Sequence, residues 1–248
     1  AADISCSPFP TGPWELLTRK SSYVLSDVRR RSSDRVFHRP SALAILKNTL
    51  VIGVEFAQSI TEPTLLFFNL REDGYPVYSL GFDATPTSRI GVTALTAGGG
   101  HIFAGNGFGS ASDVTCQHST ACAQIVIFNI TKSEEPLLAG SLQLATAAPP
   151  FATTINGSSA GATSITYRRG YIYLGLEKTM GGSEFNIIDV RDPSHPLWIA
   201  GVAIGRSVTS MAVTSTRAYL TTSDSKRELI IIDITNPREP KLIGSWDA

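Results

Sequence analysis

The sequence carries no excess of charge: 21 Lys and Arg balance 21 Asp and Glu, for a formal net charge of zero. Nucleic-acid binders usually present a basic face, and this balance gives no argument for one. No stretch approaches the roughly 18 consecutive apolar residues of a membrane-spanning helix. No segment shows a convincing helical period in its apolar residues. Cysteine is scarce, and its count of three is odd. Cys116 and Cys122, with His118 between them, form one close pair, and no second pair stands at metal-ligand spacing. His38, His101, His118 and His195 are scattered, and no HExxH or Ser/His/Asp arrangement stands out. No metal or cofactor is expected.

What the chain does contain is one segment written four times. It reads TLLFFNLREDGYPVYSLGF around Asn69, QIVIFNITKSEEPLLAGSL around Asn129, FNIIDVRDPSHPLWIAGV around Asp189 and ELIIIDITNPREPKLIGSW around Asp233. From each Asn or Asp to its Pro the step is seven: 69 to 76, 129 to 136, 189 to 196, 233 to 240. A fixed internal step of this kind is a repeat signature. Two shorter apolar runs precede each copy, rich in Val, Ile, Thr, Tyr and Phe and split by turn residues such as Gly98 to Gly100 or Arg169-Gly170. Each unit is therefore four strands, A to D. Strand C is apolar at nearly every position, as a strand buried on both faces should be.

Residues 1–41 fit the same register loosely. Tyr23 to Leu25 stand for strand C, Asp27 takes the anchor position, and Asp34 stands where Pro is expected. The reading is all-β: a single β-propeller domain over 1–248 with five blades, at about 3–41, 42–90, 91–160, 161–206 and 207–248, the first degenerate. Two insertions without periodicity, Gly105 to Ala123 and Ala145 to Ala160, are expected to be loops.

ELIIIDITNPREPKLIGS and FNIIDVRDPSHPLWIAG resemble the LVIVD repeat, an apolar run, Asp, a short turn with Asn-Pro or Asp-Pro, then Pro. Units two and three depart from it with Asn69 and Asn129 at the anchor and no first Pro in the turn. The resemblance implies a propeller, often on surface or secreted proteins, and no defined activity.

The anchors Asp27, Asn69, Asn129, Asp189 and Asp233 are read as structural, each offering a short oxygen to the backbone N–H groups of the turn that follows. The Pro after the turn suits the start of an outer strand, and Gly81, Gly140, Gly201 and Gly244 would let a bulge form there. Strand A should line the axis, and its four clear copies hold no carboxylate, His or Cys. A five-bladed glycosidase would need a pair of carboxylates near that axis.

B–C loops and the links from D to the next A share one face, where scaffold-held loops would bind. Arg29 to Arg31 form a charge run, read as a solvated turn with a docking patch as the alternative. Cys116 and Cys122 flank a short polar loop; a local disulfide is preferred over two free thiols, and Cys6 is left over. Sequons stand at Asn129 and Asn156. Ala1-Ala2 fits either signal cleavage or a fragment. The expectation is a non-catalytic, extracellular module with protein partners or self-association, as in a surface or filamentous assembly. The alternative is a lectin-like ligand binder, for which Trp198, Trp246, Tyr78 and Phe108 are the candidate aromatics. An enzyme is the weaker third reading.

Overall fold

The computed structural model describes residues 40–54, 63–72, 76–82, 91–107, 123–130, 136–144, 154–155, 158–179 and 182–247. They form four sheets of four antiparallel strands, each sheet in the order A-B-C-D. Blade I is β1 (Pro40–Leu46), β2 (Thr49–Val54), β3 (Leu65–Leu70) and β4 (Pro76–Phe82). Blade II is β5 (Val92–Gly98), β6 (His101–Asn106), β7 (Ile125–Asn129) and β8 (Leu137–Leu142). A hairpin of two-residue strands follows, β9 (Thr154–Ile155) and β10 (Ser158–Ser159), so the second insertion is not loop alone. Blade III is β11 (Ala162–Arg168), β12 (Tyr171–Leu176), β13 (Phe185–Asp189) and β14 (Leu197–Val202). Blade IV is β15 (Val208–Val213), β16 (Arg217–Thr222), β17 (Leu229–Asp233) and β18 (Lys241–Trp246).

These are β-propeller blades. The A strands pack in sequence, β1 on β5, β5 on β11 and β11 on β15, while among the described residues each D strand is hydrogen-bonded only to its own strand C. The fifth blade expected around Asp27 lies outside the described residues.

The unbroken apolar C strands follow from the stacking. Side chains alternate across a strand, and in blades II and III both faces of the sheet meet another sheet. In β7, Val126 and Phe128 join the cluster shared with Val51, Leu65 and Phe67 of blade I. Ile125 and Ile127 join the cluster shared with Ile172, Leu174 and Ile188 of blade III. Blades III and IV meet through Phe185, Ile187, Leu220, Ile230 and Ile232. Each such side chain contributes about 1.5–3 kcal/mol by leaving water. Phe67 and Phe128 close the first interface edge to face, with centroids 5.7 Å apart.

The distance between blades is set by glycine in strand B. A Cβ at Gly53 would lie 2.8 Å from Val92 Cγ1, one at Gly105 2.7 Å from Ala162 Cβ, and one at Gly175 2.7 Å from Val208 Cγ1. In each case the obstacle is the first residue of the next blade's strand A. The second residue of strand A is the extra residue of a β-bulge: Ser41, Thr93, Thr163 and Thr209. Ser41 Oγ donates to the Val92 carbonyl and Thr93 Oγ1 to the Ala162 carbonyl, so hydroxyls tie one blade to the next. Thr163 Oγ1 is buried with no partner among the described residues. A second bulge falls in each D strand at Ser79, Ala139, Ile199 and Ile243, one or two residues ahead of the glycines marked in the sequence.

Blade IV differs. Thr221 occupies the glycine position of its strand B, is exposed, and meets Thr209 hydroxyl to hydroxyl at 2.8 Å. A Gly105→Val substitution is therefore expected to lower unfolding free energy by about 1–3 kcal/mol through overpacking. Thr221→Gly should cost no more than about 0.5–1 kcal/mol, the backbone price of glycine in a strand. Urea unfolding of the two variants compares them; equal losses would contradict this role for Gly105.

Candidate functional site

One end of the blades carries the A–B and C–D turns. Asp189 ends β13, and its Oδ1 accepts the Arg191 backbone N–H at 3.1 Å. Arg191 Nε reaches both carboxylate oxygens, at 2.9 and 3.1 Å, and its guanidinium lies 5.6 Å above the Tyr171 ring. The hydrogen bond from Arg191 holds the Asp189 carboxyl below the usual carboxylate range. Asp233 repeats the turn contact, accepting the Thr235 N–H at 2.9 Å, and pairs at 2.9 Å with Arg217, its ladder partner on β16. Hydrogen bonds from Thr235 lower its pKa in turn. Asn69 stands one residue before the end of its strand C, and its Oδ1 is buried without a partner among the described residues. Asn129 is half-buried at the end of β7, opposite His101. Asp27 lies outside the described residues.

The blade III turn brings Asp192, Ser194 and His195 together. Ser194 Oγ donates to Asp192 Oδ1 at 2.5 Å, and His195 Nδ1 is 3.0 Å from both Ser194 Oγ and Asp192 Oδ2. The residue types are those of a hydrolytic triad; the geometry is not. A triad uses the two ring nitrogens separately, one toward the nucleophile and one toward the carboxylate. Here a single nitrogen meets both, and the side chains of His195 and Asp192 are 84% and 63% exposed. The cluster fastens a turn. Hydrogen bonds from Ser194 and then His195 lower the Asp192 carboxyl to about 2.

The opposite end carries the B–C loops and the links between blades. Glu184 is buried there with four hydrogen bonds. Its Oε1 accepts the Thr179 N–H and hydroxyl at 3.0 and 2.8 Å; its Oε2 accepts the Ile204 and Gly205 N–H groups at 2.7 and 2.9 Å. One carboxylate thus ties the B–C loop of blade III to the link into blade IV. Gln124 repeats the device in blade II, accepting the Leu144 N–H at 2.8 Å. Both stand five residues before an anchor, at 124 before 129 and 184 before 189. Reading the anchors forward to Pro misses them; reading backward shows Thr64, Gln124, Glu184 and Glu228 in register. Asp224 organises the B–C loop of blade IV, accepting from Lys226 N and Arg227 Nε, both at 3.1 Å.

Among the described residues the A strands present no carboxylate, and no three His, Cys, Asp or Glu side chains converge as a metal site. No helix among them is long and apolar enough to cross a membrane. Trp198 is packed against the core between blades II and III, and its Nε1 donates to Asn186 Oδ1 at 3.1 Å. Trp246 is 62% exposed at the end of blade IV. Cys116, Cys122, Asn156, Phe108 and the Tyr78 side chain lie outside the described residues.

The repeat just described has a counterpart among protein families. Residues 205–248 match the LVIVD repeat. That segment is blade IV, with the Asp233 anchor and Pro240 in the places where the motif puts its Asp and Pro. No curated protein sequence matches the chain. Among solved structures, a protein from Lactobacillus plantarum superposes with a TM-score of 0.58 at 9% identity, over 84% of this chain and 55% of that one. The chain thus spans about half of that protein's length, and at this identity the likeness shows the fold alone. Two weaker likenesses have TM-scores of 0.47: the computationally designed Ika4 protein, at 12% identity over 84% of this chain and 92% of its own, and the extracellular domain of BT4673 from B. thetaiotaomicron, at 13% identity over 84% and 22%.

Two outcomes follow for the charged groups. The Asp192 carboxyl should titrate near 2 by carbon NMR, and Ser194→Ala should raise that midpoint. Because its folded pKa lies below the unfolded value of about 3.9, its stabilising contribution is complete above that value and is lost as the pH falls toward 2. Glu184→Ala should cost at least about 3 kcal/mol in urea unfolding, since it strands several buried donors. A loss of under about 1 kcal/mol would contradict the clamp.

Proposed function

We propose that this chain is a non-catalytic LVIVD-type propeller module that works outside the cell within a larger protein assembly, by docking through the outer face of blade IV. That face carries the reading. It is the side of the sheet turned away from blade III. It contains Tyr219, Leu229, Ile231 and Trp246, with Tyr219 37% and Trp246 62% exposed. In blade III the same positions, Tyr173, Phe185 and Ile187, are buried against blade IV. An exposed apolar surface of this kind marks an interaction site. On the side of blade I turned away from blade II, Leu66 and Phe68 are buried, and the exposed apolar residues are Leu43 and Ile45 on β1, at 68% and 55%. Two unlike apolar surfaces on one molecule favour head-to-tail contact, which extends into rings or filaments.

The lack of paired carboxylates on the described A strands supports a non-catalytic role, as does the triad-like turn with the wrong geometry. The lectin-like alternative loses Trp198, whose indole is spent in the core. In the extracellular setting Cys116 pairs with Cys122, and Asn156 and Asn129 are the glycan positions.

Static light scattering across concentration tests the reading. The expected result is a mass rising above 26.5 kDa, with the rise abolished by Trp246→Asp and the sheet signal in circular dichroism retained. A constant monomer mass, or a rise that Trp246→Asp leaves untouched, would overturn it.

A further inference from the structure

We propose that the cleft between blades II and III, at the end bearing the A–B turns, binds a carboxylate from an extended acidic segment of a partner protein. The cleft has a volume of about 390 Å³. It lies where the A–B turn of blade II, the A–B turn of blade III and the Asp189 turn meet. It is distinct from the outer face of blade IV and does not depend on it.

Its floor is aromatic but already committed. Phe103 is buried, and its ring stacks on Tyr167 with centroids 5.2 Å apart and planes 12° apart. Tyr167 also lies against the backbone of Gly98, where a Cβ would come within 2.0 Å of its Cδ1. With these ring surfaces occupied, stacking of a sugar is disfavoured. What the cleft offers a ligand is polar: the Tyr167 hydroxyl, the His101 imidazole and the Arg169 guanidinium. His101 Nδ1 lies 2.8 Å from the Gly99 carbonyl. A carbonyl only accepts, so Nδ1 carries a proton and Nε2 is left for other contacts.

Arg169 is the distinctive residue. It is exposed and has no hydrogen-bond or ion-pair partner among the described residues. Its φ is +48°, the left-handed region, which costs a non-glycine residue about 1 kcal/mol. Blade II places Gly99 at the same turn position, with φ +59° and no such cost. Lys47 stands at the same turn position in blade I with φ +53°, so the strain belongs to the turn, and what sets Arg169 apart is its place on the cleft. The other guanidinium on the cleft, Arg191, is neutralised by Asp189. The cleft therefore supplies one uncompensated cation with a phenol beside it. That suits a planar monoanion, which a guanidinium fork matches, better than a dianionic phosphate or a multiply sulfated glycan. The cleft is open, so the carboxylate is best delivered from a chain running across the turns.

The test is a nitrogen-15 NMR titration with capped hexaglutamate, acetate and a heparin-derived tetrasaccharide as three separate probes. The expected result is saturable shifts at Gly99, His101, Arg169 and Gly170 with hexaglutamate, and much weaker binding of acetate. Arg169→Gly should weaken hexaglutamate binding about tenfold or more, as loss of a charge-assisted hydrogen bond implies. Glycine also relieves the positive φ, so this variant should unfold no more readily than the parent, and lost binding cannot be blamed on misfolding. Tyr167→Phe, which keeps the ring stack, should weaken binding less. Unsaturable shifts, acetate binding as tightly as hexaglutamate, tetrasaccharide binding in its place, or equal affinity in Arg169→Gly would each overturn the proposal.

Discussion

Bare backbone at Gly53, Gly105 and Gly175 lets the first residue of each following inner strand approach to van der Waals contact. That approach fixes how far apart neighbouring sheets sit. It brings Ser41 and Thr93 within hydrogen-bonding reach of carbonyls on the next blade, and lets the C strands of adjacent blades share one apolar layer. Interiors of this density tolerate little added volume, so a single Cβ acts on the whole interface. The turns and loops at either end take their positions from this spacing.

Much of the fold was legible in the chain. The seven-residue step from anchor to Pro located strands C and D in all four blades, because turn chemistry is local. The double-sided burial of β3, β7 and β13 was legible because alternation vanishes when both faces are covered. Interblade contacts were not. Ser or Thr recurs at the second position of every A strand, but its partner is a carbonyl 51 residues away for Ser41 and 69 for Thr93. Glycine in strand B reads as a weak strand position until the next blade is placed against it. The clamp at Glu184 depends on a loop meeting a link 20 residues further along. The cleft at Arg169 arises only once two turns of different blades are set side by side, and the triad-like turn at His195 needed distances to be dismissed.

Blade IV departs from the pattern at the one position that governs spacing. Thr221 adds volume where the other three blades have none, and Thr209 turns its hydroxyl toward it. Yet the same sheet keeps Tyr219, Leu229 and Ile231 in register with residues that blade III buries. An apolar face with added volume at the spacing position suits a surface other than a regular blade, in keeping with the proposed docking there.

Oxidative footprinting of native material, read by mass spectrometry at Trp246 and Tyr219, tests that placement most directly. The expected result is labelling of both side chains at high dilution and protection at high concentration, approaching the protection of the buried Tyr173. Equal labelling at every concentration, at the rate of freely exposed side chains, would contradict it.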